Sequence, residues 1–88
     1  MTSWYVYVVQ CNDNSLYTGI TTDMARRISE HNCGLKGARY TRSRRPVALV
    51  YCEPAISRSA AACRESYIKK LKSSGKCQLI KHRGQGAQ

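Results

Sequence analysis

Two β-branched and aromatic stretches, WYVYVVQ at residues 4–10 and LYTGI at 16–20, are separated only by CNDNS. Such runs favour strands, while Asn, Asp and Ser supply turn chemistry. The chain therefore opens with a hairpin, and the loop length decides which tyrosines share a face. A two-residue loop at Asp13–Asn14 pairs Tyr7 with Ile20 and sends Tyr17 to the opposite face. A three-residue loop, Asn12 to Asn14, pairs Val9 with Tyr17 and Tyr7 with Gly19, so Tyr7 and Tyr17 lie together. Asn14 tolerates the left-handed backbone such a loop needs, and the three-residue loop is preferred.

The rest of the chain reads as two helices and one more strand. Thr21 or Thr22 caps a helix with Asp23 in its first turn; it runs to about Cys33 and stops at Gly34. Residues 34–45, GLKGARYTRSRR, form a basic loop. Pro46 opens a third strand, VALVYCE, that ends before Pro54. Ser57 or Ser59 caps a second helix through about Ser73, ended by Gly75, and KCQLIKHR adds one turn that packs Leu79 and Ile80. The predicted class is α+β, β-β-α-β-α, with a small antiparallel three-stranded sheet flanked by helices. One domain occupies residues 1–82, and residues 83–88 form a disordered tail.

Charge narrows the partners. Fifteen Lys and Arg against five Asp and Glu give the 88-residue chain a net charge of +10. The first 25 residues contain no Lys or Arg, whereas 26–45 hold seven basic residues and 58–83 hold eight. Confinement to two segments fits an electrostatic footprint for nucleic acid. No basic amphipathic helix rich in Leu or Phe argues for a membrane surface. No charged leader followed by an apolar segment opens the sequence, which points to the cytoplasm. Cys11, Cys33, Cys52, Cys63 and Cys77 are odd in number, widely spaced and without a C-x-x-C pair. They read as free, mostly buried thiols rather than as a zinc site or a disulfide framework.

The first helix poses a problem of its own. At about 100° per residue, Met24 and Ile28 define its apolar stripe. His31 falls beside Met24 and Arg27 a little beyond, whereas Arg26, Ser29 and Glu30 point toward water. Arg27 and His31 thus flank the buried seam. Burying an unpaired guanidinium costs several kcal/mol, roughly, so an anion belongs there: a carboxylate of the protein or a phosphate of a ligand.

These residues together resemble the GIY-YIG nuclease domain. YVY at 5–7, YTG at 17–19, Arg27 ten residues after Tyr17, His31 four further on, and Glu65 on a later helix reproduce that family's ordered pattern over roughly residues 4–80. The similarity is to its small stand-alone bacterial branch. It implies a metal-dependent DNA endonuclease that hydrolyses phosphodiester bonds in DNA repair or processing, with structure-selective or weak selectivity. It also implies catalytic roles for Tyr7, Tyr17, Arg27, His31 and Glu65. Glu65 would hold one divalent ion, Mg²⁺ or Mn²⁺, with no small-molecule cofactor. Arg27 would clamp non-bridging phosphate oxygens. Tyr17 is the preferred base; Tyr7 shares the site, and His31 is a competing base or the partner of the tyrosine. Taken singly, Glu65 with Lys69 is an ordinary i, i+4 surface pair.

The basic loop reads as a substrate clamp. Lys36, Arg39, Arg42, Arg44 and Arg45 can neutralise phosphates, Tyr40 can stack on a base, and Thr41 and Ser43 can donate to phosphate oxygens. Lys69, Lys70, Lys72 and Lys76 extend the field. Nothing is arranged as a base-reading helix. The expected partner is DNA, with RNA as an alternative, and the expected state is a monomer or weak dimer. One departure stands out: Cys77, followed by Gln78, falls where many family members carry Asn. A nucleic-acid-binding module with little or no turnover is therefore the competing reading.

Overall fold

The computed structural model describes residues 3–34 and 36–86 of the chain, with side chains as far as Lys81. Strands β1 (Trp4–Gln10), β2 (Leu16–Thr21) and β3 (Ala48–Ala55) form one antiparallel sheet in the order β2-β1-β3. Helices α1 (Met24–Asn32) and α2 (Arg39–Arg42) lie between β2 and β3 in sequence; α3 (Arg58–Lys70) and α4 (Ser73–Gly86) follow. The α+β class and the three-stranded antiparallel sheet are as the sequence predicts.

The hairpin forms with the three-residue loop. Val9 pairs with Tyr17 and Tyr7 with Gly19. Asn14 has a φ of 68°, the left-handed conformation that closes the loop. Side chains alternate across β1 and divide the interior in two. Val6 and Val8 pack with Tyr51, Ala61 and Ile68, joined by Leu79 and Ile80 of α4. Tyr7 and Val9 pack on the other face with Val47 and Cys11, against Tyr17, Met24 and Ile28. Placing β1 in the centre explains why its four residues Val6 to Val9 are each no more than 1% exposed.

Several local expectations need correction. Asp23, not Thr21 or Thr22, is the N-cap of α1: its carboxylate accepts from the Arg26 N–H at 3.0 Å. Thr21 instead accepts from the Asp23 N–H and holds the cap in place. The helix does stop where Gly34 takes a φ of +69°. Pro54 lies inside β3 rather than beyond it; β3 is an edge strand, where a residue lacking N–H costs no ladder bond. A bulge where Val8 and Val9 pair with Tyr51 and Leu49 leaves Val50 as the extra residue of β3. The chain between 34 and 45 is not all loop, since Arg39–Arg42 makes one helical turn.

Ser57 caps α3, accepting from the Ala60 N–H, but the helix ends at Lys70 with Leu71 as its C-cap, and Gly75 lies within α4 instead of ending α3. A Cβ on Gly75 would stand 3.4 Å from the Leu71 side chain, an ordinary van der Waals contact, so the turn into α4 does not depend on glycine there. Helical backbone continues to Gly86, longer than the single turn expected, and residues 87 and 88 of the expected disordered tail lie outside the described residues. The thiols are free, yet only Cys11 is buried; Cys33, Cys63 and Cys77 are exposed. Among the described residues, no helix is long and apolar enough to cross a membrane.

Candidate active site

The site grows from the hairpin register. Tyr7 projects from central β1 and its ring lies across Gly19 on β2: a Cβ there would stand 2.5 Å from the Tyr7 hydroxyl. Any larger residue would push the phenol out, so glycine is required by this contact. The hydroxyl lies 2.7 Å from Nε2 of His31, and Nε of Arg27 donates to it at 3.4 Å. One helical turn separates Arg27 from His31, which is why α1 presents both to a single phenol. His31 is fully buried, and its Nδ1 lies 2.9 Å from the Thr41 hydroxyl.

Tyr17 meets this cluster through its ring. It stands edge-on to His31 with centroids 5.5 Å apart, stacks on Tyr40 at 5.9 Å, and has Lys69 Nζ 5.9 Å from its centroid. The hydrogen bond to His31 therefore belongs to Tyr7, not to Tyr17. Glu65 projects from α3 with a side chain 23% exposed and pairs with Lys69 at 3.2 Å, the i, i+4 pair the sequence suggests. Its negative charge is felt at Tyr7, where it opposes ionisation.

The electrostatics are set by burial. Desolvation pushes the Tyr7 phenol above its ordinary value, against the lowering influence of the Arg27 hydrogen bond and charge. His31 is lowered to about 4, first by burial and then by the Arg27 charge, so the imidazole is neutral near pH 7. Arg27 is held charged by its bonds to Tyr7 and Glu30, against the burial that disfavours the charge.

The anion expected beside Arg27 is present as Glu30, whose carboxylate accepts from Arg27 at 3.0 Å. Glu30 is thus turned toward Arg27 and not simply to water, with a side chain 23% exposed. The same guanidinium nitrogen donates to the Lys36 carbonyl at 3.0 Å.

The basic loop splits into two groups. Lys36, Arg39, Tyr40, Arg42 and Ser43 are exposed, as are Lys69, Lys70 and Lys72, with Lys76 half-buried. Thr41 is not available to phosphate: it is fully buried and its hydroxyl donates to the Ala38 carbonyl. Arg45 is spent on the end of α1, bonding the carbonyls of His31 at 2.6 Å and Gly34 at 2.7 Å. Arg44 pairs with Asp13 at 3.0 Å and lies over the Tyr40 ring, 3.9 Å from its centroid. The sequence reading missed Asn32, which clamps Val47 through both its backbone N–H and carbonyl and so ties α1 to the start of β3. An Asn in the last turn of a helix was the only local signal.

A hairpin carrying two tyrosines on one face, with a helical Arg/His pair above them and a carboxylate from a later helix, defines a small nuclease-type α+β domain. The chain belongs to the GIY-YIG family, whose GIY-YIG catalytic domain model matches residues 3–78. A UPF0213 protein of Desulfotalea psychrophila is 61% identical over 79 residues, covering 90% of this chain and 72% of its own. A UPF0213 protein of Staphylococcus haemolyticus is 52% identical, covering 94% and 100%. Among solved structures, the solution structure of a UPF0213 protein from Bacillus halodurans is 44% identical with a TM-score of 0.61, over 93% of this chain and 86% of that one. A second, from E. faecalis, is 37% identical with a TM-score of 0.63, over 96% and 88%. The relatives thus match the chain over nearly its whole length.

Proposed function

We propose that this protein is a metal-dependent DNA endonuclease of the cytoplasm, acting on damaged, branched or otherwise irregular DNA. The observation that carries the reading is the meeting of Tyr7, Arg27 and His31 in one hydrogen-bonded cluster, with the Tyr17 ring against His31 and the Glu65 charge acting on Tyr7. Hydrolysis of a phosphodiester needs a water deprived of a proton, a counter-charge for the pentavalent phosphorane, and neutralisation of the leaving oxygen.

Arg27 is suited to the counter-charge. Its guanidinium already donates to a carboxylate, Glu30, through one nitrogen, and a phosphate offers oxygens of the same kind with more charge. Tyr7 is suited to accept the proton of the attacking water. A phenol is a poor base near pH 7 unless its own proton can leave as the new one arrives, and neutral His31 is 2.7 Å away to take it. This favours Tyr7 over Tyr17 as the base. Tyr17, Tyr40 and Lys69 then line the approach, where a base can stack and a phosphate can be neutralised. The exposed Lys36, Arg39, Arg42, Lys69 and Lys72 supply a non-specific, salt-sensitive hold on the DNA backbone.

Among the described residues there is no group of three or more His, Cys, Asp or Glu side chains that could enclose a metal ion. A single carboxylate, Glu65, suits a hydrated Mg²⁺ or Mn²⁺, which keeps most of its waters. Glu65 would be the protein ligand, released from Lys69. The ion would supply Lewis-acid stabilisation of the developing oxyanion charge.

A second reading, a binding module without turnover, is favoured by the two pairings that occupy the key charges, Arg27 with Glu30 and Glu65 with Lys69. The test is cleavage of single-stranded, duplex, flapped and branched DNA with Mg²⁺ or Mn²⁺, beside Glu65→Ala and Arg27→Ala. Metal-dependent cutting lost in both variants supports the enzyme. Equal traces of cutting in all three, with salt-sensitive binding intact, supports the module.

A further inference from the structure

Hydrogen-bond bookkeeping around His31 constrains which ring nitrogen carries its proton. The Thr41 hydroxyl has one hydrogen, and its oxygen lies 2.9 Å from the Ala38 carbonyl and 2.9 Å from His31 Nδ1. A carbonyl only accepts, so the hydrogen directed at Ala38 leaves the Thr41 oxygen as acceptor toward Nδ1. Nδ1 then bears the N–H. A neutral imidazole has one N–H, so Nε2 is bare and the Tyr7 hydroxyl, 2.7 Å away, is the donor. Arg27 Nε, which only donates, meets the same phenol oxygen at 3.4 Å. Every group then has a complementary partner. In the reverse arrangement His31 Nε2 and Arg27 Nε both donate to Tyr7, and the phenol hydrogen has neither of them to bond.

We propose that Thr41 is a positioning residue that holds His31 as the Nδ1–H tautomer, so that Tyr7 faces the reaction as a hydrogen-bond acceptor. The catalytic consequence rests on the nuclease reading; the tautomer itself is a property of the free protein. The single turn of α2 exists at the right place for this, because Thr41 N also bonds Ala38 O at 3.0 Å and fixes the side chain beneath His31. Arg45 bonds the backbone carbonyl of His31 and so holds the same residue from its main-chain side. The charged and titratable groups facing His31 are Tyr7 on β1, Tyr17 on β2, Arg27 and Glu30 on α1, and Arg45 after α2.

The proton balance follows. As the water oxygen attacks phosphorus, its proton passes to the Tyr7 oxygen and the Tyr7 proton passes to His31 Nε2. The bond from phosphorus to the leaving oxygen breaks, and that oxygen takes a proton from solvent. The imidazolium has both N–H groups on oxygen acceptors, Tyr7 and Thr41, and returns its extra proton through Tyr7 once product leaves.

The experiment reads the ring-nitrogen ¹⁵N shifts of His31 at neutral pH in wild type, Thr41→Ser and Thr41→Val, with cleavage kinetics on the DNA panel with Mg²⁺. The expected result is Nδ1 protonated and Nε2 bare in wild type and Thr41→Ser. Thr41→Val should populate both tautomers and lose about tenfold or more in kcat with KM unchanged. A wild-type ring protonated on Nε2, or a folded Thr41→Val with the wild-type tautomer and full kcat, overturns the proposal. If Thr41→Val does not fold, the wild-type and Thr41→Ser spectra decide it. If no form cuts DNA while the tautomer shifts as expected, the nuclease reading fails and the positioning stands.

Discussion

The Tyr7 hydroxyl occupies the space that a Cβ on Gly19 would need, 2.5 Å from where that atom would stand. Register, loop length and the shape of the candidate site meet in this one contact. The partner strand must offer glycine opposite Tyr7, and the hairpin must be in the register that provides it.

Gly19→Ala tests that contact. The added methyl forces the buried phenol off its bond to His31, and overpacking of this kind costs roughly 1–3 kcal/mol. Chemical denaturation should show a lowered midpoint, and the folded fraction should cut DNA more slowly than wild type.

Arg45 and Arg42 separate structure from binding. Arg45→Ala removes the bonds that close the end of α1, so the melting temperature should fall by several degrees, about 1–2 kcal/mol of stability. Arg42 is exposed, and Arg42→Ala should leave the melting temperature unchanged. Its DNA affinity should fall, with the slope of log K against log salt reduced by about one. Thermal melts and salt-titrated binding of both variants check the contrast.

His31 makes stability depend on pH in a defined window. Its folded value of about 4 lies below the ordinary 6.5, so between these values the unfolded chain binds more protons. Stability from this group is complete above about pH 6.5 and falls as pH drops toward 4, by about 3 kcal/mol in all. Denaturation of wild type and His31→Gln across pH 4–7 should show a flatter profile in the variant.

Asn32→Ala should be among the more costly substitutions on α1. It leaves the Val47 N–H and carbonyl, both bonded to the Asn32 amide, without that partner, a loss of about 1–3 kcal/mol. Denaturant midpoints measure it, and Asn32→Asp, which keeps only the accepting half, should fall between.

The sequence made local features legible. Loop length and Asn14 determined the hairpin register, and the 3.6-residue period placed Arg27 and His31 beside the apolar stripe. What it hid was non-local. That Thr41 would be buried on His31, ten residues away, and that Arg45 would cap α1 depended on where the chain from 34 to 45 folds back. A run of Arg, Thr and Tyr gives no local sign of which members turn inward. The N-cap fell to Asp23 rather than to Thr21 or Thr22 because the Thr21 hydroxyl accepts from the Asp23 N–H and braces that aspartate. Pro54 misled because nothing in its own neighbourhood says that its strand is an edge.

The most direct measurement is single-turnover cleavage of a labelled flapped DNA, with EDTA and then Mg²⁺ added back, by wild type and Glu65→Gln from matched preparations. EDTA should stop wild-type cutting, Mg²⁺ should restore it, and Glu65→Gln should bind the DNA yet not cut. Cutting that persists in EDTA, or that Glu65→Gln performs at the wild-type rate, would contradict metal-dependent cleavage through Glu65.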